Sequence, residues 1–259
     1  MEEARVFSLY SGSGGNAFLF AAGEDCILID AGKSAKRLCE GIRKCGYAPE
    51  QVRAIFLTHE HSDHVSALSV FLGRHPVPVH AVEASARRLE QLPTVAPFLV
   101  RHPPIYTETV GAMTLTSFPT PHDSYASVGY RVRIGCGENA FCVGLATDIG
   151  TVTQRIEEGL TGCRAVILES NHDPELLMGG VYPPDLKRRV ASPRGHLSNP
   201  DCAAFAARLA AAGTERFLLA HLSRENNTPE LALNEVAACL ADERIFLSAA
   251  SPEDVTVLL

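Results

Sequence analysis

Several familiar signatures are missing from this chain of 259 residues. No run approaches the roughly 18 uninterrupted apolar residues of a membrane-spanning helix, so none is expected. The opening MEEARVFSLY is acidic and lacks the charged-then-apolar order of a secretion signal. None of the eight cysteines forms a C-x-x-C pair, which removes support for a zinc knuckle or a thioredoxin-like site. A disulfide framework belongs to short secreted chains. The cysteines are therefore expected to be reduced packing residues, and the chain cytoplasmic. A basic surplus is absent too: 23 Lys and Arg face 30 Asp and Glu, for a formal charge of −7. That excludes coating nucleic acid by bulk charge, though not a local basic patch. No Gly/Ser linker or low-complexity segment divides the chain, so a single domain over 1–259 is expected.

What is present is alternation. Val6–Tyr10, Ala17–Phe20, Cys26–Ile29, Arg53–Leu57 and Val77–Ala81 read as strands, with a Gly-rich turn at Ser11–Asn16. Ser34 caps a helix that Gly46 closes; Val65–Leu72 and Ser85–Gln91 follow as helices, and 93–104 as an irregular Pro-rich stretch. Met113–Phe118, Ser127–Ile134, Ala140–Ala146, Ala165–Glu169, Arg216–Ala220 and Asp254–Leu258 are further strands. Asn199-Pro200 and Thr228-Pro229 each place a cap and then proline before a helix, reaching about Ala212 and Ala241. The pattern is that of a layered α/β domain.

Ten histidines are the unusual component. Three of them stand in His59-Glu60-His61-Ser62-Asp63-His64, directly after the apolar run Ile55–Leu57. In extended backbone, residues two apart share a face, so His59 and His61 can grip one cation. Asp63 and His64 follow as the chain turns and can face a second. Asp30, His122, Asp148 and His221 each also follow an apolar run. In layered α/β proteins ligands gather beyond strand ends. Imidazole with carboxylate suits Zn²⁺, and also Mn²⁺ or Fe²⁺. His75, His80 and His102 lack ligand-like spacing and read as surface or structural residues.

With these residues in place, the chain resembles the metallo-β-lactamase fold superfamily over nearly its whole length. The resemblance implies a four-layer αββα sandwich with a dinuclear site at one edge of its sheets. It implies that His59, His61 and His122 hold one divalent metal ion and that Asp63, His64 and His221 hold the other. Asp148 would bridge them, and Asp30 would orient the site from behind. Two such ions about 3.5–4 Å apart would turn a bridging water into hydroxide at neutral pH, which suits hydrolysis of a phosphodiester, ester or lactam.

Glu169-Ser170-Asn171-His172-Asp173, Gly195-His196-Leu197-Ser198-Asn199 and Leu219–Asn227 are similar to the YycJ/WalJ branch, bacterial proteins described as 5′→3′ DNA exonucleases or phosphodiesterases. Two positions depart from that pattern. Ala67 stands where glycine is usual, and Ser13-Gly14-Gly15 where paired serines are common. The branch implies DNA ends or a small phosphodiester as substrate, with catalytic roles at Asp63 and His196. Related tRNA endonucleases place a histidine in a comparable loop near the scissile phosphate; by that likeness His196 would donate a proton to the leaving oxygen or hydrogen-bond the phosphate, the alternative being a helix-entry histidine bonded to backbone. Asn171 and His172 are candidates for phosphate contact or for bracing their loop. Lys187-Arg188-Arg189 with Arg194 could guide a polyanion or form a solvated helix face. The turn Ser11–Asn16 could offer backbone N–H groups to an anion or be a plain hairpin turn. The rival readings are a hydrolase of small esters, lactones or other metabolites, and a non-catalytic metal-binding regulatory protein.

Overall fold

The computed structural model describes residues 4–259, without the side chain of Glu138; residues 1–3 of the acidic opening lie outside the described residues. The first half of the chain builds one sheet from β1 (Ala4–Tyr10), β2 (Ala17–Ala22), β3 (Asp25–Ile29), β4 (Val52–Phe56), β5 (Val79–Val82) and β6 (Leu99–His102). The second half builds another from β7 (Thr107–Val110), β8 (Met113–Thr120), β9 (Ser127–Ile134), β10 (Phe141–Ala146), β11 (Ala165–Glu169), β12 (Arg216–Ala220) and β13 (Phe246–Ala249). β14 (Thr256–Val257) returns to the first sheet and pairs antiparallel with β1. The order is β14-β1-β2-β3-β4-β5-β6 in one sheet and β13-β12-β11-β10-β9-β8-β7 in the other.

Strand periodicity explains the layers, because successive side chains point to opposite faces. In β3, Ile27 and Ile29 enter the core between the sheets, while Cys26 and Leu28 enter an outer core. In β11, Ala165 and Ile167 face the sheet interface, and Val166 and Leu168 face outward. Both faces of these strands are buried, so they read as continuous apolar runs. Helices cover the outer faces: α1 (Ala35–Lys44), α2 (Ser62–Val65), α3 (Leu68–Leu72) and α4 (Glu83–Leu89) follow strands of the first sheet. Leu38, Phe71 and Leu89 of these helices belong to its outer core. α5 (Gln154–Leu160), α6 (Pro174–Gly179), α7 (Pro184–Val190), α8 (Asn199–Ala211) and α9 (Pro229–Cys239) accompany the second sheet. There Ile156, Phe205 and Val236 close the outer core. The result is the expected αββα sandwich. Among the described residues, no helix is long and apolar enough to cross a membrane.

Several local expectations are corrected. The cap of α8 is Ser198, whose hydroxyl accepts from the Asp201 N–H; Asn199 is already helical, and its side chain binds Ser170 and Asn227 instead. The helix read over Val65–Leu72 is split into α2 and α3. The stretch 93–104 contains a single 3₁₀ turn, Ala96–Phe98, and then strand β6. The edge strands β7 and β13 and the short helices α5, α6 and α7 carry too little apolar periodicity to stand out. All eight cysteines are free, and only Cys26, Cys45, Cys163 and Cys202 are buried; burial pushes those four thiols up to about 12.

His80 and His102 pack where β5 meets β6. His80 stacks on Phe56 at 4.4 Å, His102 stacks on Tyr106 at 3.9 Å, and the two imidazoles share a 2.9 Å hydrogen bond. Burial, with His102 adding to it, pushes His80 from 6.5 down to about 4. The unfolded chain therefore takes up a proton at this position that the folded chain refuses. Stability at His80 is full above pH 6.5 and is lost as pH falls toward about 4. Urea unfolding at pH 7 and pH 4.5 should show a smaller acid loss for His80→Gln than for the wild type. Equal losses would show that His80 does not supply this dependence.

Candidate metal centre

Strand ends create the site. Past the end of β4 the chain bends at Thr58, runs through His59 to an extended His61, then enters α2, which carries Asp63 and His64. One ligand atom each from His59, His61 and His122 lies within 4.8 Å of the others, and so do those of Asp63, His64 and His221. Asp148 is shared: it groups with His59 and His64 on one side, and with Glu169, His196 and His221 on the other. Its Oδ2 is 3.3 Å from His64 Nε2. All seven side chains that the sequence singled out as ligands thus converge, although they come from both sheets.

Three residues reach this point in a left-handed backbone conformation: Asp30 (φ 62°), Asp148 (φ 56°) and His221 (φ 57°). Each lies within two residues of the end of its strand. Non-glycine residues adopt this region rarely, and strain of this kind concentrates at functional sites. Here it turns the side chains back over the sheet edge.

A buried polar layer fixes the rings. Asp30 is fully buried, and it accepts hydrogen bonds from the Thr58 N–H (2.8 Å), the Thr58 hydroxyl (2.8 Å) and His64 Nδ1 (2.7 Å). This leaves Nε2 of His64 to face the cluster. Burial opposes a charge on His64, but Asp30 and Asp148 outweigh it and hold its pKa well above the ordinary value. Burial likewise opposes ionisation of Asp63, and the imidazoles of His221 and His64, 3.7 and 3.3 Å from its Oδ2, outweigh it. His59 is pushed well below 6.5, first by burial and then by the neighbouring imidazoles, so it is neutral and able to ligate. Nδ1 of His122 faces the Gly195 carbonyl oxygen at 3.2 Å.

Glu169 lies behind the other half of the site, and sequence reasoning missed it. It is fully buried; Oε1 accepts from His196 Nδ1 (2.8 Å) and His221 Nδ1 (2.9 Å), and Oε2 accepts from the N–H groups of Ile149 and Leu197. Burial would raise its carboxyl, but His196 and His221 hold it far below the usual range. Its signal was available: Ala165–Glu169 is an apolar strand with a charge as its last residue. A search for His and Asp alone passes over it. Asn16 and Ser11 were also missed as individuals. Asn16 Nδ2 donates to Asp63 Oδ2 at 3.2 Å, and the Ser11 hydroxyl accepts from the His221 N–H at 2.8 Å.

The remaining candidates take positions around the core of the site. His196 lies at its rim, 3.7 Å from Asp148 and partly exposed. The Asn171 amide donates to the His221 carbonyl at 2.7 Å, which braces the loop. His172 is buried, and burial lowers its pKa. Lys187 donates to the Met178 carbonyl, Arg188 pairs with Asp185, Arg189 with Asp123, and Arg194 donates twice to the His122 carbonyl. These four cations are engaged within the protein.

The family described as the metallo-beta-lactamase superfamily matches residues 10–142. The chain belongs to the metallo-beta-lactamase superfamily. It is a hydrolase of that superfamily and is similar to its YycJ/WalJ members. It is 34% identical to exodeoxyribonuclease YycJ of Bacillus anthracis over 91% of this chain and 88% of that one. It is also 34% identical to exodeoxyribonuclease WalJ of Streptococcus pneumoniae, over 86% and 83%. The metallo-beta-lactamase fold protein YhfI of Bacillus subtilis shares the fold, with a TM-score of 0.73, 19% identity, and 99% and 100% of the two chains covered.

In this superfamily member the motifs touch through Gly32. A Cβ there would lie 2.0 Å from the Asp63 carbonyl oxygen and 2.4 Å from the Asn16 nitrogen, both backbone atoms. Gly32→Ala must push the Asp63 segment away from the Gly-rich turn. We expect it to cost about 1–3 kcal/mol or more in chemical denaturation. A variant as stable as the wild type would show that this junction yields freely.

Proposed function

We propose that the protein is a metal-dependent phosphodiesterase that binds two divalent cations and removes nucleotides from DNA strand ends, in the 5′→3′ direction implied by the branch resemblance. The observation that carries this reading is electrostatic. Nε2 of His59, Oδ2 of Asp148 and Nε2 of His221 are buried without a hydrogen-bond partner, and each belongs to the converging donor set. An unsatisfied buried polar atom costs about 1–3 kcal/mol, so three in one cluster fit a site built for cations. His59, His61 and His122 would hold one; Asp63, His64 and His221 the other; Asp148 would serve both. When bound, Zn²⁺, Mn²⁺ or Fe²⁺ supplies the Lewis acidity that polarises a phosphate and acidifies water. The exodeoxyribonuclease names of the two 34%-identical relatives support DNA as the substrate. The free thiols support a cytoplasmic setting.

The chain's own residues would act as follows. Asp30 and Glu169 fix the tautomers of His64, His196 and His221, as carboxylates behind ligating or acid–base imidazoles do. With Nδ1 bound to Glu169, His196 has Nε2 left to donate a proton to the leaving oxygen. A cleft of about 700 Å³ opens beside His61, and exposed Tyr125 lines it under the Arg88 guanidinium, 5.0 Å from the ring. A face of this kind can stack a base.

A nuclease assay on 5′- and 3′-labelled DNA, with bis-p-nitrophenyl phosphate and a lactone in parallel, tests the reading. Loaded protein should degrade DNA, and a chelator or Asp63→Ala should abolish the activity. Turnover of the lactone alone would overturn it, as would tight binding of a protein partner with no phosphodiester cleaved. His196→Ala should lower turnover ~10²–10⁴-fold while bound metal, measured by elemental analysis, stays nearly unchanged. Loss of metal in that variant would contradict the proton-donor role.

A further inference from the structure

The engaged basic cluster at 187–194 leaves a question of where a strand's phosphates would be held. A different set of cations answers it. Lys33, Arg37 and Arg224 converge on a single carboxylate, Glu253: Lys33 Nζ lies 3.1 Å from Oε1, Arg224 NH2 2.7 Å from Oε1 and Arg37 NH2 2.5 Å from Oε2. Three positive charges face one negative charge, in a chain whose net charge is −7. Like charges are not gathered at such density without support, and the support is visible. The Tyr10 ring lies beneath Lys33 Nζ at 5.8 Å and Arg37 Cζ at 5.4 Å, and the Tyr10 hydroxyl donates to the Arg37 carbonyl. Lys33 itself is held at φ 65°, and Gly15 lies so close that a Cβ there would stand 2.4 Å from the Lys33 nitrogen.

The cations border the metal centre. Lys33 follows Asp30 by three residues and Arg224 follows His221 by three. A Cβ at Gly14 would lie 3.5 Å from Lys33 Nζ and 3.8 Å from Arg224 NH2, so the Gly-rich turn forms the floor between them. The same turn ends at Asn16, which donates to Asp63. Glu253 is a solvent-reachable occupant: its side chain is 50% exposed and lies between β13 and β14, so an anion from solution can compete with it for the three cations. A phosphate group offers more acceptor oxygens than one carboxylate and can carry a second charge, so it matches three donors better.

We propose that Lys33, Arg37 and Arg224 form a phosphate subsite for the substrate strand, and that Glu253 occupies it as a carboxylate stand-in until a phosphate displaces it. The proposal rests on the strand-degrading reading above. Fluorescence anisotropy of the metal-loaded protein with a cleavage-resistant phosphorothioate single strand, bearing either a 5′-phosphate or a 5′-hydroxyl, tests it across a range of salt. Glu253→Gln should tighten binding several-fold, a gain that misfolding could not produce. Arg37→Gln and Arg224→Gln should each weaken it about 5–10-fold and reduce the logarithmic salt slope by about 0.7. A loss confined to the 5′-phosphorylated strand assigns the subsite to the terminal monoester; equal losses assign it to an internal diester. Unchanged affinity in Glu253→Gln together with unchanged salt slopes in the arginine variants would overturn it. Should the wild type bind and cut no strand, the nuclease reading falls, and inorganic phosphate then judges the subsite alone. Phosphate should raise the Tm of Glu253→Gln, and Arg37→Gln with Arg224→Gln in that background should abolish the shift; no shift in Glu253→Gln overturns the proposal.

Discussion

Everything at the site depends on carboxylates buried where water cannot reach them. Asp30 and Glu169 are each fully buried, one behind each half of the cluster, and each is tied to backbone N–H groups as well as to imidazoles. A buried charge is tolerable only when hydrogen-bonded and paired, so these two enforce the geometry around them. Asp30 binds the end of β3 to the loop that follows β4 through Thr58 and His64. Glu169 binds the end of β11 to the residues that follow β10 and β12 and to the loop before α8. The two sheets come together over a mostly apolar interface, but these anions set where the ring nitrogens point.

Much of this was legible in the sequence because the signals are local. A strand followed by His59-x-His61-x-Asp63-His64 needs no tertiary information, and neither does the recurrence of His or Asp after apolar runs at Asp30, His122, Asp148 and His221. The central strands could be read because burial on both faces made them continuously apolar. What escaped was decided at a distance. Glu169 acquires its meaning only from His196 and His221, which lie 27 and 52 residues further along. β7 and β13 lie at sheet edges and bury little, so their sequences are not distinctive. The cap of α8 moved from Asn199 to Ser198 because the Asn199 side chain is bound by Ser170 and Asn227.

The distribution of charge says more about the site than the net charge does. The chain is acidic overall, yet part of that acidity is Asp63 and Asp148 in the donor cluster, and part is Asp30 and Glu169 behind it. The basic residues at 187–194, prominent as a run in the sequence, are spent on the protein itself. Lys33, Arg37 and Arg224 come from opposite ends of the chain and are assembled by folding. Electrostatic focusing depends on such placement more than on totals.

The pairing of β14 with β1 has a consequence for the birth of the molecule. Val6 and Phe7 must wait for partners at Val257, Leu258 and Leu259, and the Ser11 hydroxyl must wait for His221, 210 residues downstream. Contacts of such separation form late, after the cost of closing the loop has been met by other interactions. On a ribosome, the first sheet's own opening strand therefore stays unflanked on one side while the second sheet is still being made. The donor set is complete only once His221 has joined the residues of the first sheet, and β1 gains its second neighbour later still, with β14.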